Sequence, residues 1–339
     1  MAMRACLFVG LAFVWLGPVL ALEVNLLEVD LAVAPGQVHT FTFIARNETD
    51  TPEQFTIYIG DWDRDVDGTN RFYPAGTLPR SLAPWLSVAP TSFMLGPGET
   101  REVMGTLSVP GSGVMGGTYW GIIFVQGEPR PVQHQGTTVM VTKRIGIKVY
   151  ASVPPGEHAG EVRALEVRGL NPLWLRLKFA NIGTLNLRAV TVEAEVYDAK
   201  GDRVVGVNLS PFPCLPGAER WVAVSTDFRP APGVYHVLVK VDTGGDPLLA
   251  GQVPLRVRPL ALVPLTGTGP VPQDLDGDGF YEDANGDGVF DGQDVALFQE
   301  SWRSAGVQAN GRAFDFNNDG VVDEADAAAL AELLKARTP

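Results

Sequence analysis

Apolar and polar residues alternate with period two through most of this chain, in short runs separated by turn residues. Residues 38–44 and 55–59 alternate in this way and read as half-buried strands, with Pro35-Gly36 and Pro97-Gly98 as turns that introduce strands. Residues 119–125 form a fuller apolar run that suits a central strand. Residues 138–153 alternate over a long stretch, with Val139, Val141, Ile145, Ile147 and Val149 as the apolar members. Roughly seven strands between residues 22 and 157 predict an immunoglobulin-like β-sandwich. The pattern then repeats between 158 and 259: residues 173–179, 190–197, 221–228 and 235–241 alternate, and Ala199-Lys200-Gly201-Asp202 reads as a hairpin turn. That is a second sandwich of the same kind. Residues 260–272, rich in Pro, Gly and Thr, read as a semi-rigid linker.

The period changes after residue 273. Val295, Phe298 and Trp302 follow one another at helical spacing, as do Ala327, Leu330, Leu333 and Leu334. Charge changes with it. The chain carries a formal −13, and residues 273–339 alone hold 15 Asp/Glu against 4 Lys/Arg, while residues 1–272 hold 24 against 22. Neither part has the clustered cations that phosphate binding needs, so nucleic acid is not an expected partner. An acidic tail of this kind points to a cation.

Two twelve-residue stretches in the tail have the spacing D-x-[DN]-x-[DN]-G-x5-[DE] of a calcium loop. The first places Asp283, Asn285 and Asp287 at positions 1, 3 and 5, Gly288 at 6, Val289 at 7, Asp291 at 9 and Asp294 at 12. The second places Asp315, Asn317, Asp319, Gly320, Val321, Asp323 and Asp326 at the same positions. Calcium takes six to eight oxygens at ~2.3–2.6 Å, so alternate side chains must fold round it and the chain must turn sharply at position 6. Val289 and Val321 contribute backbone carbonyls. Sixteen residues aligned from Asp283 and from Asp315 share eight identities, so the unit is duplicated. Each loop runs into a helix whose start the closing Asp favours through the macrodipole. Turn-like residues at 277–279 and 309–311 predict no helix before either loop. Upstream, Asp274, Asp276, Asp278, Gly279 and Glu282 make an overlapping half-loop whose twelfth position, Asn285, already belongs to the first loop; it either binds a third calcium or only caps the first site. Asp63, Asp65, Asp67 and Gly68 have similar spacing, but Arg71 and Pro74 at positions 9 and 12 mark a polar hairpin instead.

The duplicated loop-helix unit, at residues 283–302 and 315–334, resembles the type I dockerin module, which closes its loops with Asp as here. The resemblance implies calcium-dependent folding and docking onto a cohesin domain, often in polysaccharide-degrading assemblies. Loop positions 10 and 11, Gly292-Gln293 and Glu324-Ala325, depart from the Ser/Thr pair many members use for recognition. Further upstream, residues 81–88, Pro90, Phe93-Met94-Leu95, Pro97-Gly98-Glu99, Val109-Pro110 and Gly117-Thr118-Tyr119-Trp120 resemble the immunoglobulin-like domain of PapD-type pilus chaperones and WxL-interacting surface proteins. That likeness implies a donor strand within 138–152 and a cationic cleft, for which Lys143, Arg144 and Lys148 are the candidates.

The chain opens with Arg4, an apolar stretch from Ala5 to Trp15, Gly17-Pro18, and Val19-Leu20-Ala21, the pattern of a secretory signal cleaved after Ala21. The apolar stretch is short for a membrane span, and no later segment reaches spanning length. Export leaves Cys214 as the one remaining thiol, best read as a small buried residue. His39, His134, His158 and His236 show no metal-ligand spacing, and neither a G-x-S-x-G elbow nor a phosphate loop occurs. Trp62, Trp85, Trp120, Trp174 and Trp221 read as sandwich core before they read as carbohydrate platforms. The expectation is therefore a non-catalytic, exported protein of extracellular, cell-surface or periplasmic location. It is mainly β, with two immunoglobulin-like β-sandwiches followed by a small α-helical calcium-binding module at 273–339. Its expected partners are a cohesin-like or other surface protein, with polysaccharide as a further ligand. The rival expectation is a chaperone-like protein for fibre or surface subunits acting by β-strand addition.

Overall fold

The computed structural model describes residues 22–134, 137–245 and 248–337; the expected signal segment, with Cys6, lies outside them. The chain divides into two compact units, one running through Trp62 and resuming at Phe72–Pro155, the other comprising Asp63–Arg71 and Gly156–Pro339.

The first unit is built from strands β1 (Leu22–Val24), β2 (Glu28–Ala32), β3 (Val38–Asn47), β4 (Glu53–Arg64), β5 (Asn70–Pro74), β6 (Leu86–Ala89), β7 (Ser92–Leu95), β8 (Thr100–Ser108), β9 (Gly117–Gly127), β10 (Arg130–His134), β11 (Thr137–Val141) and β12 (Arg144–Val153). One sheet has the order β1-β3-β8-β6 and the other β2-β12-β9-β4-β5, with β7 against β4. Between them lie Phe43, Phe55, Leu107, Ile123, Ile147 and Val149. Each such side chain contributes about 1.5–3 kcal/mol on burial. The continuous apolar run becomes β9, central between β12 and β4. Both its faces are covered, because Tyr58, Phe72 and the Arg144 guanidinium close over Phe124 on the outer side.

The long strand expected over 138–153 is two strands. β12 pairs antiparallel with β9 from Arg144 to Val153 and parallel with β2 from Lys148 to Ser152. β11 pairs only with β10, so Val139 and Val141 are exposed while Ile147 and Val149 are buried. Pro129 and Pro131 supply no N–H for a central ladder, and the chain leaves the sheet there as a separate hairpin.

The second unit contains β13 (Gly160–Leu170), β14 (Leu173–Asn181), β15 (Leu187–Asp198), β16 (Arg203–Asn208), β17 (Phe212–Cys214), β18 (Glu219–Ser225), β19 (Gly233–Asp242) and β20 (Leu249–Val257). A sheet β13-β14-β18 faces a sheet β16-β15-β19-β20, with β17 on β15 and Leu175, Leu177, Phe179, Val192, Val237 and Val239 between them. Cys214 belongs to this core; burial pushes its thiol up to about 11, consistent with a packing role.

The helical end comprises α1 (Gly292–Ser301), α2 (Ala305–Ala309), α3 (Gly311–Phe314) and α4 (Glu324–Arg337). Two short helices thus precede the second loop where none is expected. Ser304 caps α2 by accepting from the Val307 N–H, and the turn-like Asn310 falls at the junction between α2 and α3 rather than abolishing both. Phe298, Phe314 and Phe316 form the centre, Phe298 stacked on Phe314 at 5.8 Å and edge-on to Phe316 at 5.1 Å. Residues 260–265 are part of this core, not a free spacer: Leu260, Leu262 and Leu265 pack against it, and the Asn310 side chain bonds both the N–H and the carbonyl of Ala261.

Candidate metal centres

Both twelve-residue loops are wound by their own carboxylates. In the first, Asp283 accepts at Oδ1 from the N–H groups of Gly286 (2.8 Å) and Asp287 (3.1 Å) and at Oδ2 from Gly288 (2.8 Å). Asn285 Oδ1 accepts from Asp287 N–H, Asp287 Oδ1 from Val289, and Asp291 Oδ1 from Gln293. Asp294 is fully buried and ties the ends together, accepting from Asn285 N–H at 3.1 Å and Asp291 N–H at 2.8 Å, the latter completing a capping box at the start of α1. The second loop repeats the scheme. Asp315 accepts from Asp319 and Gly320, Asn317 from Asp319, Asp319 from Val321, Asp323 from Ala325, and buried Asp326 from Asn317 and Asp323.

Positions 4 and 6 take left-handed backbone in both loops: Gly286 and Gly288 at φ +73° and +88°, Asn318 and Gly320 at +53° and +90°. Asn318 is the one non-glycine residue with positive φ among the described residues, and Asn tolerates that region best after glycine.

Each loop crowds four carboxylates, and among the described residues no Lys or Arg pairs with any of them. Burial raises the carboxyls of Asp294 and Asp326 above their usual range and pushes Asp315 up to about 6, with neighbouring carboxylates adding to the effect. Hard oxygens, converging charge and no protein counter-ion are the chemistry of a calcium site, and the residues present suit that ion. The side chains of Val289 and Val321 are exposed, which leaves their backbone as the part that belongs to the loop.

The upstream acidic residues come together as well. The carboxylates of Asp274, Asp276, Asp278 and Glu282 offer oxygens within 4.8 Å of one another.

The second loop lies against the turn joining β13 and β14. Trp174 Nε1–H donates to the Asn318 carbonyl, Asn318 Nδ2 donates to the Pro172 carbonyl at 2.9 Å, and Asn171 N–H donates to Asn318 Oδ1 at 3.3 Å. Asn171 Nδ2, nearly buried, donates to the carbonyls of Gly279 (2.8 Å) and Arg312 (2.6 Å). Sequence reasoning missed Asn171, Trp174 and Asn318 in these roles. Asn in place of glycine at position 4 of the second loop was the available signal; the partner turn, about 145 residues earlier, had none.

Other candidates resolve more simply. The 63–71 stretch is a polar hairpin, with Arg71 on Asp63 at 2.8 Å and on Asp65 at 3.7 Å, and the Gly68 N–H on the Asp65 carbonyl. Trp62 and Trp120 are buried and bonded to backbone carbonyls. Trp85 lies 4.3 Å from the Tyr119 ring, and Arg176 covers Trp221 at 4.1 Å. Arg144 and Lys148, candidates for an anion-binding cleft, lie over aromatic rings: Phe124 at 4.6 Å and Trp62 at 4.3 Å. Among the described residues, no helix is long and apolar enough to cross a membrane.

Comparison with known proteins agrees with the tail geometry. Residues 281–335 match the family model of the dockerin type I domain. No curated protein matches the chain at a significant level. Similar solved structures include a chaperone–tip adhesin complex of CFA/I fimbriae, at 10% identity over 68% of this chain and 97% of that one, with a TM-score of 0.41. The class 5 fimbriae chaperone CfaA is similar at 12% identity over 69% and 100%, TM-score 0.38, and the E. coli chaperone DraB at 17% over 70% and 98%, TM-score 0.33.

Proposed function

We propose that this chain is an exported, non-catalytic modular protein whose C-terminal module, residues 273–339, folds around calcium and docks onto a cohesin-like partner. Two immunoglobulin-like sandwiches, at 22–157 and 158–259, serve as its binding or spacing surface in a polysaccharide-degrading or cell-surface assembly. Asp283, Asn285, Asp287, the Val289 carbonyl, Asp291 and Asp294 hold one ion; Asp315, Asn317, Asp319, the Val321 carbonyl, Asp323 and Asp326 hold the other. The observation that carries this reading is the pair of congruent loops, each closed by a buried Asp and each without a protein cation. Bound calcium supplies the charge that lets these carboxylates converge. The residues at loop positions 10 and 11, Gly292, Gln293, Glu324 and Ala325, are all exposed, so the recognition positions stay open while loop two rests on the β13–β14 turn. Without a Ser/Thr pair there, partner recognition rests on a small or acidic surface, and specificity differs accordingly. The test is capture by the immobilised chain of a panel of purified cohesin domains, in calcium and then in EGTA. Binding of at least one cohesin, released by EGTA and lost on Asp287→Ala plus Asp319→Ala, is expected; binding indifferent to EGTA overturns the reading.

A second reading, chaperone-like strand addition, is favoured by one observation. The β10–β11 hairpin exposes Val132, Val139, Met140 and Val141, and β11 has no second neighbour among the described residues. Residues 148–152 are already paired on both sides, so strand addition falls to 137–141 or to 144–147, which pair only with β9. Fibre-subunit binding that survives EGTA and fails on Val139→Asp would move the function to this hairpin.

A further inference from the structure

We propose that residues 274–285 form a third calcium site, three of whose carboxylates lie before the region matched by the dockerin model, and that the Arg337 guanidinium competes with the ion for it. The proposal rests on the reading of 283–294 and 315–326 as calcium loops, since it argues from likeness to them.

The half-loop has their backbone. Asp274 accepts at Oδ1 from Gly277 N–H (2.8 Å) and Asp278 N–H (3.2 Å) and at Oδ2 from Gly279 N–H (2.9 Å), the same three bonds that Asp283 makes. Asp276 Oδ1 accepts from Asp278 N–H and Asp278 Oδ1 from Phe280 N–H, as at positions 3 and 5 of the other loops. Gly277 and Gly279 sit at φ +79° and +91°, again positions 4 and 6.

Winding alone does not make a site; Glu282 supplies the independent sign. It is 3% exposed, its carboxylate belongs to the cluster with Asp274, Asp276 and Asp278, and its Oε2 has no hydrogen-bond partner. A buried carboxylate oxygen left unpaired among three other carboxylates is costly unless a cation occupies the space they share. Arg337, near the end of α4, meets part of that demand: it pairs with Glu282 Oε1 at 3.0 Å and with Asp276, and lies over the Phe290 ring at 5.3 Å. Arg229 acts on Asp278 as well, without an ion-pair contact, yet two cations against four carboxylates leave the cluster anionic, and Glu282 Oε2 is untouched. Oxygen-only donors select calcium over zinc, which favours nitrogen and sulfur.

Two features make this site the weakest of the three. Its position 12 is Asn285, whose side chain already serves the first loop, accepting from Asp287 N–H at 2.8 Å and donating to Asp287 Oδ2 at 3.1 Å. Arg337 must also leave Asp276 and Glu282 when the ion enters.

The test is calcium stoichiometry of the full chain by equilibrium dialysis against calcium alone, at fixed ionic strength. Three ions per chain are expected. Asp278→Asn, with Asp274→Asn as a second variant, should remove the weakest and leave two. Arg337→Gln should tighten that same site roughly tenfold while leaving the other two unchanged; a gain of affinity cannot come from a damaged fold. Two ions in both the wild type and Arg337→Gln, or three ions persisting in Asp278→Asn and in Asp274→Asn, overturn the proposal. Asp287→Asn and Asp319→Asn each remove one of the tight ions if the two-loop reading holds. If instead the only ion found is lost through Asp278→Asn, the two-loop reading fails and the third site stands.

Discussion

Replacing the position-6 glycine of each loop by alanine separates what the loop needs for itself from what it needs to rest on its neighbour. Gly288 and Gly320 have nearly the same φ, +88° and +90°, so alanine imposes the same left-handed strain on both, about 1–2 kcal/mol. Their surroundings differ. A Cβ on Gly288 meets nothing within 4 Å, whereas a Cβ on Gly320 would fall on the backbone carbonyl of Arg168. Backbone cannot swing aside as a side chain can, so loop two has to lift from the β13–β14 turn. Lifting breaks the bonds of Asn318 with Asn171, Pro172 and Trp174, each worth about 0.5–1.5 kcal/mol net. Gly288→Ala should therefore weaken calcium binding at its loop by roughly 5- to 30-fold and leave the second sandwich unchanged. Gly320→Ala should cost about 2–3 kcal/mol more and speed hydrogen exchange at the Asn171 amide, which donates to Asn318 Oδ1. Calcium calorimetry together with hydrogen exchange of residues 168–174 makes the comparison. Equal losses in the two variants, with unaltered exchange at Asn171, would refute the contact reasoning.

Calcium at 100 times Kd should add roughly 2.7 kcal/mol per site to the module, removable by EGTA, and a melting curve of the helical end that ignores chelation would contradict it. Truncating Asn171 to Ala leaves the carbonyls of Gly279 and Arg312 without their donor and should destabilise the module's seat by about 1–3 kcal/mol, read from denaturant unfolding with calcium present. The Asp315 carboxyl, pushed up to about 6 chiefly by burial, gives the calcium-free module stability that is present below the ordinary value of 3.8 and lost as pH rises through about 6. Calcium must displace that proton, so affinity at loop two should fall as pH drops from 7.5 to 5; equal affinities at the two values would count against it. In the second sandwich, Glu195 is held below its usual 4.5, first by Lys240 at 2.6 Å, with Tyr197 and Arg203 each at 3.0 Å. Its contribution is present above about 4.5 and lost as pH falls through the lower folded value, so the stability gap between wild type and Glu195→Gln should close in acid.

The sandwiches were legible because one face of each strand is buried and the other is not, so the periodicity of residues 38–44 or 173–179 is a record of packing. The run at 119–125 announced a central strand for the same reason. Residues 138–153 misled because alternation persists across a break: Val139 and Val141 keep the period but point to solvent, and the cause, prolines at 129 and 131, lies just before and on the partner strand. The winding of the two acidic loops was legible, since each lies within twelve residues and winding is a local matter. What local pattern could not show is anything that depends on a distant partner. Residues 260–265 read as a linker on composition, but their leucines belong to the helical core and Asn310 fixes Ala261. Arg337 lies 55 residues from Glu282, and no spacing rule joins them.

Asn318 is where these long-range requirements converge. As position 4 of loop two it must hold left-handed backbone, which glycine would do at less cost. Glycine would also remove both side-chain bonds to the β13–β14 turn, at Asn171 N–H and at the Pro172 carbonyl. Its backbone carbonyl, held by Trp174, stays in either case. The residue thus takes on a little loop strain in return for a fixed seat, and the seat connects the two halves of this unit energetically. Whatever orders loop two also orders the turn at 170–174, and whatever loosens that turn weakens the loop. Asn318→Gly tests this in one measurement. If the seat outweighs the strain, calcium affinity at loop two falls although the backbone has become easier to fold. If affinity rises, loop and sandwich are merely adjacent.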